Sequence, residues 1–360
     1  MYFCKNHPKP TMLSISEQEE RKTGKELYSY QKGAIQKIFQ CFETAVDDYH
    51  LLYQLPTGGG KTVIFSEIVS QYLKTHKKKV LVMTHRIELC KQTSSVLTEF
   101  GVQNKVIDSK ANLEDQSQFD CFVAMVETLN NRLKDDKLDI SDIGLVIIDE
   151  AHYNSFTKLF KFFEKSFVLG VTATPLSSNI ELPMADNYNE LIVGESIESL
   201  IENEFLAQAN MFSYNVGLTS LVVGANGDYT VKSSEDLYTN NEMLSKLMEA
   251  YNERCEGKKT LIFNNGINTS LFVFDLFRSA GYPVAHLDNT ATKKERTQIL
   301  KWFKETPNAI LTSVSILTTG FDEPTVESII LNRATKSLTL YYQMIGRGSR
   351  ILKNKNSFDV

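Results

Sequence analysis

The stretch LPTGGGKT, Leu55 to Thr62, decides the reading of this chain. It follows the apolar run HLLYQ and precedes VIFSEIVSQYL, an apolar stretch with helical spacing. A glycine loop between strand and helix lets backbone N–H groups approach phosphate oxygens, and the helix N-terminus adds favourable potential. Thr57, Gly58, Gly59 and Gly60 would form the cradle, Lys61 would reach the β and γ phosphates, and the Thr62 hydroxyl would ligate Mg2+. The strict pattern GxxxxGK[ST] needs glycine at position 55, where this chain has Leu55. The competing reading is an ordinary glycine-rich turn; the position between strand and helix favours the phosphate loop.

LVIIDEAH, Leu145 to His152, supplies a second half. Four apolar residues form a buried strand and the acids stand at its C-terminal end, where open α/β sheets bind ligands. Asp149 would hold Mg2+ through its water shell. Glu150 would orient and deprotonate an attacking water, a base near the γ-phosphate that does not chelate the metal. Asp-Glu after a strand is otherwise a solvated turn, and it is the pairing with the glycine loop that favours chemistry.

Further short apolar runs (KVLVMTH, FDCFVAMV, FVLGVTATP) alternate with helical stretches, one over residues 25–47 and one from Ile87 to Phe100. Such alternation implies a parallel sheet covered on both faces. The pattern weakens near 176–206, where ESIESLIENEFLA reads as one helix, and LTSLVVGANGDYT reads as hairpin-like around Asn226-Gly227. Alternation resumes with KKTLIFNN, TSLFVFDLFRSAG, PVAHLD, ERTQILKWFKE, NAILTSVS and ESIILNR. The expected architecture is two α/β domains, 1–206 and 207–360. SFDV at the end reads as the start of a strand, as in a piece of a longer protein.

At 360 residues, two domains is also the natural expectation from length. No apolar stretch reaches the roughly 18 residues of a membrane span, and MYFCKNHPKP lacks the apolar run of a secretory signal. Five scattered cysteines without a CxxC pair read as reduced thiols of an intracellular protein, with no zinc site. A net charge of −5 argues against coating nucleic acid by bulk charge, but leaves room for a local basic groove. Lys74, Lys77, Lys78 and Lys79 read as a solvated helix end rather than such a groove.

These strings, with those that follow, resemble the superfamily 2 helicases with a DEAH box, in family order from about Tyr28 to Arg350. Tyr30-Gln31 resembles the glutamine motif that reads adenine. THRIEL (Thr84–Leu89) resembles motif Ia and AMVETLNNRL (Ala124–Leu133) the segment after it. VTATP, with Thr172 and Thr174, resembles motif III, and TLIFNN, with Asn264, motif IV. TTGFDEP, with Thr319, Gly320, Phe321 and Asp322, resembles motif V, and YYQMIGRGSR, with Gln343, Arg347 and Arg350, motif VI. The resemblance implies two RecA-like domains, each a mainly parallel sheet flanked by helices, with ATP and Mg2+ in the cleft between them. It places Asp322 among the nucleotide contacts, and His152, Thr172, Thr174 and Gln343 at the domain interface. A histidine after a DE pair could instead be a metal ligand, but no second His or Cys lies at ligand spacing. An arginine supplied across a cleft stabilises charge on a transferring phosphoryl group. Arg350 is expected as that finger and Arg347 as a second cation, both on one face of a helix.

Thr84, Arg86, Thr128, Arg132, Asn264, Thr319 and Gly320 fit a strand-phosphate track by motif position, though each taken alone reads as a turn or cap residue before a strand contact. Phe321 reads as a core aromatic before a base-stacking one. VTATP, THRIEL and the GFDEP–IGRGSR arrangement resemble the DNA-repair and phage branch, so single-stranded or branched DNA is expected ahead of RNA, and a phage origin is raised by the same likeness. The implied function is an ATP-dependent DNA helicase or translocase. The alternatives are the motor subunit of a larger restriction or remodelling complex, or an RNA helicase; a kinase or transporter ATPase would leave Arg347, Arg350 and the second α/β unit unexplained. No membrane partner is expected, and protein partners are not legible.

Overall fold

The computed structural model describes residues 26–45, 48–108, 117–135, 139–177, 182–225, 227–314, 317, 321 and 323–360. The first unit begins with α1 (Ser29–Thr44), whose start is closed by the Tyr28 N–H donating to Gln31 Oε1 at 3.0 Å. There follow β1 (His50–Gln54), α2 (Lys61–Thr75), β2 (Lys79–Thr84), α3 (Ile87–Glu99), β3 (Asn104–Ile107), β4 (Cys121–Met125), α4 (Val126–Lys134), β5 (Ile143–Asp149), β6 (Phe167–Thr172), β7 (Glu190–Val193) and α5 (Ile197–Glu202). The strands form one parallel sheet in the order β3-β4-β2-β5-β6-β1-β7.

Alternate residues of these strands enter two different cores. Leu51, Tyr53, Val80, Val82, Leu145 and Ile147 pack with α1 and α2 on one face. Leu52, Leu81, Met83, Val146 and Ile148 pack on the other, with Leu129 and Leu133 of α4 and Phe156. A strand covered on both faces is apolar nearly throughout; all seven residues of β5 are buried, with the acid Asp149 at its end. Burial of each such aliphatic side chain contributes about 1.5–3 kcal/mol.

The second sheet is built from β8 (Gln208–Asn210), β9 (Thr260–Asn264), β10 (Val284–Leu287), β11 (Ile310–Val314), β12 (Ser328–Asn332) and β13 (Ser357–Asp359), in the parallel order β10-β11-β9-β12-β13-β8. Its helices are α6 (Val231–Tyr238), α7 (Asn241–Arg254), α8 (Ile267–Ser279), α9 (Lys293–Glu305) and α10 (Leu338–Ile345). Leu206 belongs to the core of the first unit and Ala207 to that of the second.

Two helix expectations are corrected. The helix in ESIESLIENEFLA is only six residues long, because Phe205 turns back onto Tyr28 and Tyr30, with ring centroids at 4.5 and 5.0 Å. LTSLVVGANGDYT is hairpin-like as expected: Val223 and Tyr229 form an antiparallel bridge, and the Gly224 and Thr230 N–H groups donate to the Asp228 and Val222 carbonyls, each at 2.8 Å; Asn226 lies outside the described residues. The helix expected over 25–47 is shorter, α1. Strands β3, β7 and β8 were not anticipated. They lie toward the sheet edges, are three or four residues long and carry polar residues among the apolar ones.

Candidate active site between the two sheets

Parallel pairing brings the C-terminal ends of β2, β5, β6 and β1 to one rim. Gln54 pairs with Thr172 in register and Asp149 with Val171, so the loops after β1, β5 and β6 lie side by side. The loop after β1 carries Gly58 and Gly60 at φ +92° and +85°, a left-handed backbone that a side chain resists. It delivers Lys61 as the first residue of α2, with Thr62 next. Leu55, at the position where the strict pattern has glycine, is fully buried, and its carbonyl accepts from Lys61 Nζ at 3.3 Å. Burial depresses the Lys61 pKa; Glu150 and Asp149 oppose that shift, and Arg347 and Arg350 reinforce it. Two carboxylates and two guanidiniums therefore converge on one lysine.

Behind the loop, the Tyr30 hydroxyl donates to the Gly59 carbonyl at 2.7 Å, and Gln31 Nε2 reaches the same oxygen at 3.5 Å. Tyr28, Tyr30 and Phe205 form an aromatic group there, with Tyr28 half exposed.

Asp149 ends β5, buried. Desolvation first, and the Glu150 charge second, raise its carboxyl well above the usual carboxylate range. Its Oδ1 accepts from the Glu150 N–H at 3.0 Å. Glu150 itself has φ +54°, a conformation costing on the order of 1–3 kcal/mol for a residue with a side chain. That turn aims its carboxylate inward: Oε2 is buried without a hydrogen-bond partner among the described residues, 3.4 Å from His152 Nδ1. The same His152 nitrogen meets Thr172 Oγ1 at 3.0 Å, and Thr172 Oγ1 donates to the Thr174 carbonyl. Thr174 Oγ1 meets Thr339 Oγ1 of α10 at 2.9 Å, crossing to the second unit.

From the second unit, Gln343 of α10 is buried beside Tyr153, and its Nε2 has no hydrogen-bond partner among the described residues. The Tyr153 ring also packs on His85 and His152, at 4.2 and 4.3 Å between centroids. Arg350 Nη1 donates to the Gly58 carbonyl, and Arg347 Nη1 to the Phe321 carbonyl at 2.5 Å. The expectation that both arginines lie on a helix is corrected. α10 ends at Ile345, and the chain then turns through 346–348; Gly346 lies against Thr57, where a Cβ would stand 2.4 Å from Thr57 Cγ2. The arginines are presented by a loop, and they point to different partners.

Of the expected strand contacts, Arg86 is the N-cap of α3 and lines a cavity of about 1000 Å3 between the units, with Asp228, Tyr229, Glu235, Asn265, Asn289 and Arg333. Thr84 is buried and its hydroxyl donates to the Arg86 carbonyl at 3.0 Å, shaping the turn rather than facing the cavity. Asn264 is likewise corrected: it is fully buried, bonded to Thr312 Oγ1 and to Asn332 Nδ2, each at 2.8 Å, so it ties three strands together. Thr128 is half-buried on α4, and Arg132 on the same helix donates to the Asp108 carbonyl at 2.7 Å. Thr319, Gly320 and Asp322 lie outside the described residues. Phe321 is buried in the second core, 6.2 Å from Phe303 between centroids.

Residues 24–177 match the family described as Type III restriction enzyme, res subunit, and residues 240–352 match the helicase conserved C-terminal domain. The chain belongs to the superfamily 2 helicases. It is similar to IRC3 of Saccharomyces cerevisiae, a protein assigned as an ATP-dependent helicase, at 29% identity over 351 residues, covering 92% of this chain and 50% of that protein. A 51.5 kDa protein of a Lactococcus phage is 28% identical over 311 residues, covering 85% of this chain and 64% of that protein. Among solved structures, the fragment of an HsdR subunit assigned to a type I restriction enzyme of Vibrio vulnificus superposes with TM-score 0.68 at 22% identity, covering 92% of this chain and 62% of that one. The chain thus spans half of one curated relative and under two thirds of the other. Among the described residues no helix is long and apolar enough to cross a membrane.

Several residues of this helicase core escaped sequence reading. Asn265, next to the motif residue, is the asparagine that lines the cavity; strand alternation assigns one of the two neighbours inward and could have separated them. His85 lies within THRIEL and Tyr153 just after LVIIDEAH, but ring packing across loops leaves no periodic trace in the chain.

Proposed function

We propose that this helicase core is a nucleic-acid-dependent ATPase that couples ATP hydrolysis to movement along, or remodelling of, a DNA strand. The observation that carries the reading is the Arg350 contact with the Gly58 carbonyl, which sets a cation of the second unit against the phosphate loop of the first. Residues 1–206 and 207–360 act as the two moving units, a division supported by the change of core between Leu206 and Ala207.

The converging charges suit a metal-bound triphosphate. Lys61, Arg347 and Arg350 supply positive charge to a polyanion, and the inward carboxylates of Asp149 and Glu150 suit a divalent cation and a water. Thr62 and Asp149 would hold Mg2+, which when bound neutralises developing phosphate charge. Lys61 binds the terminal phosphates through a side chain already enclosed by the loop. Tyr30 and Gln31 tie the adenine side of the site to that loop through the Gly59 carbonyl. Glu150 Oε2, without a hydrogen bond among the described residues, takes a proton from the attacking water, and Arg350 stabilises charge on the transferring phosphoryl group. His152, Thr172, Thr174 and Gln343 form the path by which cleft closure reaches the carboxylates.

The strand would run through the cavity lined by Arg86, Asn289 and Arg333, whose donors match phosphate oxygens, past Asn265, whose amide is bonded to Ser234 Oγ. DNA is favoured over RNA by the likeness of VTATP and THRIEL to the DNA-repair and phage branch, an argument from family pattern. The match to a restriction-enzyme res subunit supports a second reading, in which the same core is the motor subunit of a larger complex. ATPase rates with single-stranded, duplex and forked DNA and with RNA test both readings. Stimulation by DNA is expected. A rate unchanged by any of the four would overturn them, and unwinding of a fork by this chain alone would favour the first.

A further inference from the structure

The loop that carries the two arginines is held from below by Lys355. Its side chain is 8% exposed, and its Nζ donates to the carbonyls of Gly348 at 2.6 Å, Arg350 at 2.9 Å and Pro324 at 3.0 Å. An ammonium has three N–H donors, and here three backbone carbonyls take them, with no carboxylate ion-paired to it among the described residues. Two of those carbonyls bracket the segment from Gly348 to Arg350. The third belongs to the turn before β12. A tight turn sets Lys355 in place: its N–H donates to the Leu352 carbonyl at 2.9 Å, and the Leu352 N–H donates back at 3.1 Å. The chain then enters β13, and the Phe358 ring packs against Gly348, where a Cβ would stand 2.2 Å from Phe358 Cδ2. The Lys355 ammonium lies 5.8 Å from the centre of the same ring.

We infer that Lys355 is a positioning residue for the arginine finger: by clamping the carbonyls of Gly348 and Arg350, its ammonium aims the Arg350 guanidinium at the phosphate loop. The inference rests on the proposed role of Arg350 and extends it to a residue outside the helicase motifs. The clamp needs the charged form, because a neutral amine has one donor fewer and no charge to draw the carbonyls in. Burial is the largest influence on Lys355 and lowers its pKa to about 8. Glu327 and Glu323 face it and favour the charged form, while Arg350 faces it and disfavours it. The clamp therefore loosens as the pH rises through about 8. A misplacement of about 1 Å at a catalytic group costs roughly a hundredfold in rate.

The test measures ATP turnover between pH 6.5 and 9.5 with Mg2+ and a thymidine homo-oligonucleotide at saturation. The wild-type protein should lose kcat along a single ionisation near pH 8 with the KM for ATP nearly constant. Lys355→Met should fall about a hundredfold in kcat at pH 7, keep its KM, and show no alkaline limb. Lys355→Arg, whose cation does not titrate in this range, should keep substantial kcat and also lack the limb. A Lys355→Met protein within twofold of wild type, or an alkaline limb that persists in the variants, would overturn the assignment. Should Lys355→Met fail to fold by thermal melting, the Lys355→Arg profile decides alone. Arg350→Ala is run beside them. If it retains full kcat, the role of Arg350 falls and this assignment with it; if it is inactive while Lys355→Met is unaffected, only the Lys355 assignment falls.

Discussion

Arg350 and Gly58 are 292 positions apart, yet the Arg350 guanidinium donates to the Gly58 carbonyl. The phosphate loop and the arginine loop are in van der Waals contact on either side of that bond. Thr57 lies against Gly346, and a Cβ on Gly58 would stand 2.5 Å from Ser349 Oγ. The closeness leaves no room for a side chain at position 346. Gly346→Ala should hold the two loops apart and lower strand-stimulated kcat by about tenfold or more. Both cores are untouched by the change, so the thermal melting temperature should move by no more than a few degrees. Turnover assays with a parallel melt check this; wild-type kcat in Gly346→Ala would show that the contact is incidental.

Glu150 holds a left-handed backbone, and its inward Oε2 makes no hydrogen bond among the described residues, with only His152 Nδ1 nearby at 3.4 Å. A residue shaped for a reacting water explains both. Glu150→Gln keeps the size and loses the base, so the variant should bind ATP with near wild-type affinity and lose about 10²–10⁴-fold in turnover. Nucleotide binding measured beside single-turnover hydrolysis separates the two. Comparable hydrolysis in the variant would remove Glu150 from the mechanism.

Glu235 of α6 lies across the start of α8 in the interdomain cavity. A Cβ on Gly266 would meet its Oε1 at 2.4 Å, and Asn268 Nδ2 donates to its Oε2 at 3.4 Å. A helix N-terminus favours an anion, so this carboxylate competes with any strand phosphate for the position. Glu235→Gln should tighten binding of a single-stranded oligonucleotide by about threefold to tenfold at low salt, with a smaller gain at higher ionic strength. Fluorescence anisotropy over a salt series reads both. Weaker binding in the variant would mean that Glu235 serves the fold and not the strand site.

His85 offers a pH test of the same interface. Both ring nitrogens are buried without hydrogen-bond partners among the described residues. Burial first, then the Arg86 charge, lower its pKa from 6.5 to about 4. The unfolded chain therefore binds the extra proton below pH 6.5 and the folded chain only near pH 4. Stability is full above 6.5 and declines as the pH falls through that window, by at most on the order of 2 kcal/mol after allowance for partial exposure. Urea unfolding at pH 7 and pH 5 should show a larger loss for wild type than for His85→Gln. Equal losses would mean that the ring is protonated in place.

Much of this was legible in the chain because it is local. LPTGGGKT and LVIIDEAH each name a strand end and the loop after it, and parallel pairing obliges those ends to share a rim. β5 and its neighbours read directly as apolar runs because both faces are covered. What failed depended on contacts between distant segments. Arg347 and Arg350 read as helical, but α10 ends at Ile345 and a loop packed on Thr57 presents them. Asn264 sits at the motif position yet points into the sheet, while its neighbour Asn265 meets the cavity. Lys355 carries no motif, and its three carbonyl partners come from two separate loops.

The central claim is that the first unit's site is completed by an arginine of the second. Its most direct test is the strand-saturated ATPase rate of Arg350→Ala, with ATP affinity measured on the same preparation. A loss of about 10³-fold in kcat with ATP still bound is the expected result. A variant that turns over ATP at the wild-type rate would contradict the account.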